Sequence, residues 1–347
     1  MKLKNLSSPL GRIYGALSSF RNSLYDKKLI KTIRVPAKVI SVGNLTVGGS
    51  GKTPIVLALL KVCRERNVST VVVSRNYKAD AKLISRVSLE ESSAKMYGDE
   101  PYMIAKTFPD VPVYVGPSKS EAARWAYEIE KPEMIIVDDG FQHRRLNRDF
   151  DIVLIDSSKD LEDLNPLPWG RGREWVSSLK RAHLILFTKS QSISEEKKNE
   201  WLKIVPTEVP SYFIPFEFTE FENLQTGDKR SKESLNGMQA VVACGIADPG
   251  SFLQMCKKQG ATVVETLVYS DHYPFRSEDL KKIITLCNKS GADMALVTEK
   301  DAVKLKAFAA EFPEDAAKVW VAKLELKGPD SVQSIYEFLA QVSLPHI

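Results

Sequence analysis

At 347 residues the chain is longer than one hydrophobic core usually serves, roughly 250–300 residues, so two domains are expected. With 43% hydrophobic and 27% charged residues it reads as a soluble protein. No run approaches the ~18 consecutive apolar residues of a membrane-spanning helix, and the N-terminus lacks the apolar core of a secretory signal. The charge is concentrated. The whole chain carries +5, while residues 1–38 hold nine basic side chains against Asp26 alone, a net +8 that leaves −3 for the rest. A slightly acidic body disfavours nucleic-acid binding. Cys63, Cys244, Cys256 and Cys287 form no C-x-x-C pair and the four histidines no H-x-x-x-H spacing, so neither a disulfide framework nor a zinc site is expected. A reducing cytoplasm fits.

In the basic segment Leu6, Leu10, Ile13, Tyr14, Leu17, Phe20 and Leu24 recur at steps of three or four, which predicts one apolar helix face bordered by basic and serine residues. Such a helix either lies in a membrane interface, cations near anionic head groups, or docks on the protein's own core. From residue 36 short β-rich runs alternate with helical segments: strands at 38–42, 70–74, 111–115, 134–137, 152–155 and 184–187, helices at 53–66, 101–108 and 118–130. Strands apolar on both faces and separated by helices predict a parallel sheet with helices on each side. Residues 212–218 read as an aromatic-rich strand, and 318–324 as a second alternating run; paired, they would form a two-stranded β linker. Between them lies a smaller α/β unit, with strands at 240–244, 262–268 and 294–297 and helices at 249–259 and 277–290. The expected division is a basic helical segment at 1–35, a core at 36–210, and linker strands plus the smaller α/β domain at 211–347.

The strongest local signal is Thr46-Val47-Gly48-Gly49-Ser50-Gly51-Lys52-Thr53 between a strand and a helix. Glycines let backbone N–H groups curl around phosphates, and the helix N-terminus adds a positive dipole end. Lys52 would reach the β- and γ-phosphates and Thr53 would bind Mg²⁺. Thr46 replaces the first glycine of the usual pattern, and the strand–loop–helix context compensates. The fold class is thus a P-loop nucleotide-binding sheet. Thr188-Lys189-Ser190-Gln191 lacks the aspartate of a guanine-reading motif, and Thr298-Glu299-Lys300-Asp301 has the wrong order, which weakens a GTPase reading. Val47 stands where membrane-positioning ATPases of the deviant type carry lysine.

Residues 134–143 (MIIVDDGFQH) end an apolar strand in Asp138 and Asp139, at the sheet edge where ligands bind in α/β folds. One carboxylate would hold Mg²⁺ and the other orient its waters or the nucleophile. Asp99, in Gly98-Asp99-Glu100-Pro101, is either a helix cap or a functional acid. His272, in Ser270-Asp271-His272-Tyr273, is either structural or functional. Arg171 and Arg173 share a glycine-containing loop that suits phosphate binding but also suits solvated surface arginines.

In order along the chain, residues 41–54 (SVGNLTVGGSGKTP), 98–101 (GDEP), 138–143 (DDGFQH), Arg148-Asp149, Arg173-Glu174, Asp271-His272 and 298–303 (TEKDAV) resemble the tetraacyldisaccharide 4′-kinases of lipid A biosynthesis. The resemblance runs from about residue 5 to 305. It implies transfer of the ATP γ-phosphate to the 4′-hydroxyl of a tetraacylated glucosamine disaccharide 1-phosphate. It also implies that Asp99 and His272 form the base pair that accepts the hydroxyl proton, with Asp138 and Asp139 on Mg²⁺ and Lys52 and Thr53 on ATP. Arg75, Tyr77, Lys119, His143, Arg173 and Glu174 match positions near the lipid head group or active site. Asn76 and Lys119 stand where the family usually has glycine and arginine, and the loop around Arg173 reads PWGRGREW. With His272 in the second domain, the site would complete only on domain closure. The implied partners are the lipid substrate and the cytoplasmic face of the bacterial inner membrane, met peripherally or monotopically, with no obligate protein partner. The alternatives are another P-loop small-molecule kinase or ligase, and a membrane-bound nucleotide switch.

Overall fold

The computed structural model describes residues 9–75, 83–89, 93–313 and 315–327, with 335 and 337. It divides into two compact units. One comprises Met1–Ser88, Ile104–Phe216 and Leu326–Ile347; the other comprises Leu89–Met103 and Glu217–Glu325. The division differs from the sequence-based boundaries at 211–216 and 326–347, which fall in the first unit, and at 89–103, which belongs with the second unit although it lies between strands of the first. Hydrophobic pattern alone does not say which core a short segment joins.

In the first unit, helix α1 (Pro9–Asp26) precedes strand β1 (Lys38–Asn44) and helix α2 (Lys52–Glu65). Next come β2 (Thr70–Arg75) and β3 (Ser85–Arg86); the chain then passes through the second unit as α3 (Ser93–Tyr97) and the start of α4 (Asp99–Thr107), returning to the first unit within α4. The unit continues with β4 (Val113–Gly116), α5 (Lys119–Glu130), β5 (Met134–Asp138), β6 (Phe150–Asp156), β7 (Leu184–Thr188), α6 (Glu195–Leu202) and β8 (Ser211–Ile214). The sheet order is β3-β4-β2-β5-β1-β6-β7-β8, parallel except at β3.

The central strands explain their own placement. Val39 and Ile40, neighbours that point to opposite faces of β1, are both buried, so the strand is covered on both sides. Val39, Val71, Val73, Ile135 and Val137 pack with Ala122, Ala123 and Ala126 of α5. Beside them, Val153, Ile155, Ile185 and Phe187 pack with Leu45, Phe141 and Trp201. Because the strands are parallel, their carboxyl ends lie along one edge. Val42 is level with Asp138, and Arg75 with Gly116.

The second unit holds β9 (Phe216–Asn223), β10 (Lys229–Ser231), β11 (Gln239–Cys244), α7 (Pro249–Lys258), β12 (Thr262–Val268), α8 (Ser277–Ser290), β13 (Met294–Thr298), α9 (Glu299–Leu305) and β14 (Val319–Leu326). Its sheet order is β10-β9-β14-β13-β11-β12. Alternation of period two splits the strands between two cores. Val241, Ala243, Ala295, Val297, Val319 and Val321 pack with α8, while Ala240, Val242, Cys244, Met294, Leu296 and Trp320 pack with Phe252 and Cys256 of α7. The two runs expected to form a linker ribbon do meet, as β9 beside β14, but as neighbours within this six-stranded sheet. Pro215, with no N–H to donate, separates β8 from β9 where one continuous strand was expected.

Candidate active site

The phosphate loop follows β1 and ends at Gly51, the N-cap of α2, with φ +79°; Gly48 has φ +108°. Side chains other than glycine's rarely adopt such values, and both positions are crowded: a Cβ on Gly48 would meet the Arg171 guanidinium, and one on Gly51 the Phe216 ring. The loop is held from two sides. Val47 N–H donates to the Arg171 carbonyl at 2.8 Å and Arg173 N–H to the Leu45 carbonyl at 2.8 Å, pairing Thr46 with Gly172 as an antiparallel bridge. On the other side the Thr188 hydroxyl at the end of β7 donates to the Ser50 carbonyl at 2.8 Å. Thr188 belongs to the segment weighed as a base-reading motif. Its contact is structural support for the loop.

Beside the loop, β5 ends in Asp138 and Asp139. Asp138 is buried and accepts from the Ser74 hydroxyl of β2 at 2.9 Å. Asp139 turns the chain with φ +52°, and the next residue, Gly140, fits because a Cβ there would strike the Ser41 hydroxyl. The Asp139 carboxylate gathers cations. Arg173 Nη1 donates to Oδ1 at 2.8 Å and Oδ2 at 3.0 Å, and Lys52 Nζ lies 3.6 Å from Oδ1. The Lys119 ammonium donates to the Asp139 carbonyl at 2.5 Å. Burial pushes the Asp139 carboxyl up, but Lys52, Lys119 and Arg173 outweigh it and hold it well below the usual carboxylate range. Burial in turn pulls the Lys119 ammonium below its ordinary value despite Asp139 and Asp138. Arg173 also donates to Gln142 Oε1 at 3.2 Å, and Gln142 Nε2 to the Asn44 carbonyl at 3.0 Å, which connects the arginine back to the phosphate loop.

The donors suit Mg²⁺. A threonine hydroxyl at the start of α2 and two strand-end carboxylates are hard oxygen ligands. Among the described residues no group of three or more His, Cys, Asp and Glu is placed to hold a metal unaided. A magnesium ion here would take its remaining ligands from water and nucleotide phosphates, as it commonly does.

The other expected head-group residues divide. Arg75 is exposed at the end of β2; Tyr77 lies outside the described residues. His143 Nε2 accepts the Ser120 N–H of α5 at 3.3 Å, and burial, with Lys119, Arg148, Arg145 and Arg75 nearby, lowers its pKa to about 4. Glu174 is 1% exposed and fastens α1: it accepts from Asn22 Nδ2 and from Arg181 Nη2, each at 2.8 Å, with Arg21 at 3.6 Å. Its carboxylate thus joins α1 to the segment that follows the Arg173 loop.

In the second unit Asp99, at the start of α4, and His272, with φ +59°, are 3.2 Å apart, Oδ2 to Nδ1. Both belong to the same unit. Pattern reading missed the neighbours Lys300 and Lys304 on α9. The only signal was that Lys300 sits inside the matched TEKDAV segment.

A phosphate loop on a parallel sheet, with an aspartate-ended strand next to it, defines a P-loop phosphotransferase. The family model described as "Tetraacyldisaccharide-1-P 4'-kinase" matches residues 3–342. The tetraacyldisaccharide 4'-kinase of Bdellovibrio bacteriovorus is 35% identical over 335 residues, 96% of this chain and 98% of the relative. That of Halothermothrix orenii is 37% identical over 315 residues, 86% of this chain and 82% of the relative. Among solved structures, an "apo" form of LpxK from Aquifex aeolicus in complex with ATP matches with TM-score 0.72 and 29% identity, covering 95% of this chain and 97% of that one. The chain belongs to the tetraacyldisaccharide 4′-kinase family. Its activity is that of the family, phosphorylation at the 4′-position of a tetraacyldisaccharide 1-phosphate in lipid A biosynthesis.

Proposed function

We propose that the phosphoryl donor is ATP, held by the backbone of residues 46–51 with Lys52 and Thr53, and that Asp99 is the base for the 4′-hydroxyl. The observation that carries the reading of the first unit is the convergence of Lys52, Arg173 and Lys119 on Asp139 beside an open-backboned loop. Phosphoryl transfer proceeds through a loose transition state, so fixed charge and positioning supply most of the catalysis. Thr53, Asp138 and Asp139 would hold Mg²⁺, which would supply neutralisation of phosphate charge. Lys52 and Arg173 bring positive charge to the transferring group, and Asp139 holds both in place. Asp99 is kept ionised by His272 and Lys304 against the effect of burial, as a proton acceptor at neutral pH requires. Arg75, Tyr77, Lys119 and His143 border the acceptor head group. His143, neutral at physiological pH, contributes hydrogen bonding.

Helix α1 gives the enzyme its place at the membrane. It docks through small and polar residues, Gly11, Gly15 and Asn22, with Gly15 against the Trp175 indole. Its large apolar residues Leu10, Ile13, Leu17 and Phe20 are each more than half exposed. Patterning alone would let an apolar face pack inward. Here the glycine side packs and the apolar side faces out, as an interfacial helix does. No described helix is long and apolar enough to cross a membrane. The reading is therefore peripheral or monotopic attachment to the cytoplasmic face of the inner membrane, with the lipid substrate drawn from that surface.

The test is transfer of labelled γ-phosphate from Mg·ATP to tetraacyldisaccharide 1-phosphate in detergent micelles, with the product's phosphate position assigned by NMR. A 4′-phosphomonoester that disappears with Lys52→Ala supports the assignment. Well-folded, ATP-binding protein that labels no lipid sinks it.

A further inference from the structure

Helix α9 starts from Thr298, whose hydroxyl accepts the Asp301 N–H at 3.2 Å, and carries Lys300 and Lys304 one turn apart on one side. Lys304 Nζ lies 3.1 Å from Asp99 Oδ2 and 3.7 Å from Asp301 Oδ1, with the Phe275 ring 5.3 Å away. Asp301 is buried and already accepts from Gly245 N–H at 3.0 Å and the Thr298 hydroxyl at 2.7 Å. Lys300 Nζ lies 3.0 Å from Glu100 Oε1, 3.1 Å from Asp271 Oδ1 and 3.2 Å from His272 Nε2. Glu100 and Asp271 stand 3.9 and 3.8 Å from the same imidazole nitrogen.

An ammonium group donates hydrogen bonds and cannot accept them. His272 Nε2 therefore accepts from Lys300, and the ring hydrogen resides on Nδ1, the atom facing Asp99. Two donors, Nδ1–H of His272 and the Lys304 ammonium, converge on Asp99 Oδ2. Among the described residues this leaves Oδ1 for an incoming hydroxyl. We propose that Lys304 and Lys300 are positioning residues of the base, Lys304 holding the Asp99 carboxylate charged and aimed and Lys300 fixing the His272 tautomer that supports it. The inference rests on reading Asp99 as the proton acceptor.

The charges around the pair agree with this arrangement. Burial raises the Asp99 carboxyl, yet His272, Lys304 and Lys300 together bring it below its ordinary value. Burial likewise disfavours the Lys300 cation, and Glu100 and Asp271 overcome it, so its pKa is raised and the donor to His272 stays protonated. A structural role alone would require only that the lysines fill space. A positioning role requires their charge at defined atoms.

The experiment is a carboxyl-NMR titration of the full-length protein labelled at aspartate side-chain carbons, with Asp99→Asn identifying the signal, alongside the pH dependence of kcat. With Lys304→Met the Asp99 midpoint is expected to rise by ~1 pH unit. The acid limb of kcat should move with it, and Lys304→Arg should restore both. Lys304→Gln, which keeps a donor without the charge, should behave as Lys304→Met does. With Lys300→Met, the ¹⁵N shifts of His272 should depart from a single Nδ1–H tautomer. An Asp99 midpoint unchanged in both Lys304→Met and Lys304→Gln, or an unaltered His272 tautomer in Lys300→Met, overturns the proposal. Full kcat in Asp99→Asn would instead remove the base reading, while the titration still reports whether Lys304 governs the carboxylate.

Discussion

Arg173 spans both carboxylate oxygens of Asp139, at 2.8 and 3.0 Å from one guanidinium nitrogen, while its own backbone N–H is tied to Leu45 just before the phosphate loop. One residue thus fixes the loop that would cradle phosphate and the acid at the end of the adjacent strand. Arg173→Lys keeps the charge but loses the rigidly held guanidinium whose Nη1 also reaches Gln142. The expected result is about a tenfold or greater fall in kcat with Mg·ATP, nucleotide affinity changing less. Steady-state phosphoryl transfer checks it, and unchanged kcat would reduce the contact to scaffold.

Glu174 predicts a different kind of loss. Its buried carboxylate partners Arg181, itself 18% exposed, and holds Asn22 of α1. Glu174→Ala leaves a largely buried guanidinium without its partner, a change that costs about 3–5 kcal/mol. Urea denaturation should show that loss. The activity of protein that remains folded should fall far less than with Arg173→Lys.

The exposed face of α1 should govern membrane attachment. Each apolar side chain buried in an interface contributes roughly 1.5–3 kcal/mol, so Leu17→Glu and Phe20→Glu should each weaken binding to vesicles containing anionic lipid by about tenfold or more. ATP binding in solution should not change. Vesicle sedimentation reads the first effect and nucleotide titration the second. Undiminished sedimentation of the double variant would show that another surface makes the attachment.

His143 ties stability to pH with a definite sign. Its folded pKa, about 4, lies below the ordinary 6.5. Between those values the unfolded chain takes up a proton that the folded chain does not. The contribution is complete above about pH 6.5 and is lost as pH falls toward 4. Allowing for solvent screening of a partly exposed group, this amounts to on the order of 1–2 kcal/mol. Denaturation midpoints of His143→Gln should accordingly fall less steeply than wild type across that range; parallel slopes would contradict the environment described for His143.

How much of this was legible beforehand depended on how local the physics was. The phosphate loop was readable because its glycines, lysine and threonine are contiguous and each answers a steric or charge requirement of the same turn. Asp138 and Asp139 were readable because an apolar strand ending in acids marks a sheet edge. The roles of Glu174, Lys300 and Lys304 were not, since Asn22, His272 and Asp99 lie 152, 28 and 205 residues from the side chains they meet and only folding sets the spacing. The apolar stripe of α1 was readable, but its direction was not, because docking through Gly11 and Gly15 depends on the shape of Trp175 and its surroundings. The same limit hid the membership of 89–103. Placing Asp99 beside His272 within one unit needed the three-dimensional core, even though both residues stood out in sequence.

The most direct test of the account is the rate of labelled γ-phosphate transfer to tetraacyldisaccharide 1-phosphate by Asp99→Ala, measured beside wild type at saturating Mg·ATP. A general base contributes ~10²–10⁴-fold, and a loss in that range with intact ATP binding is the predicted result. Transfer at the wild-type rate would contradict the account and leave Asp99 only the start of a helix.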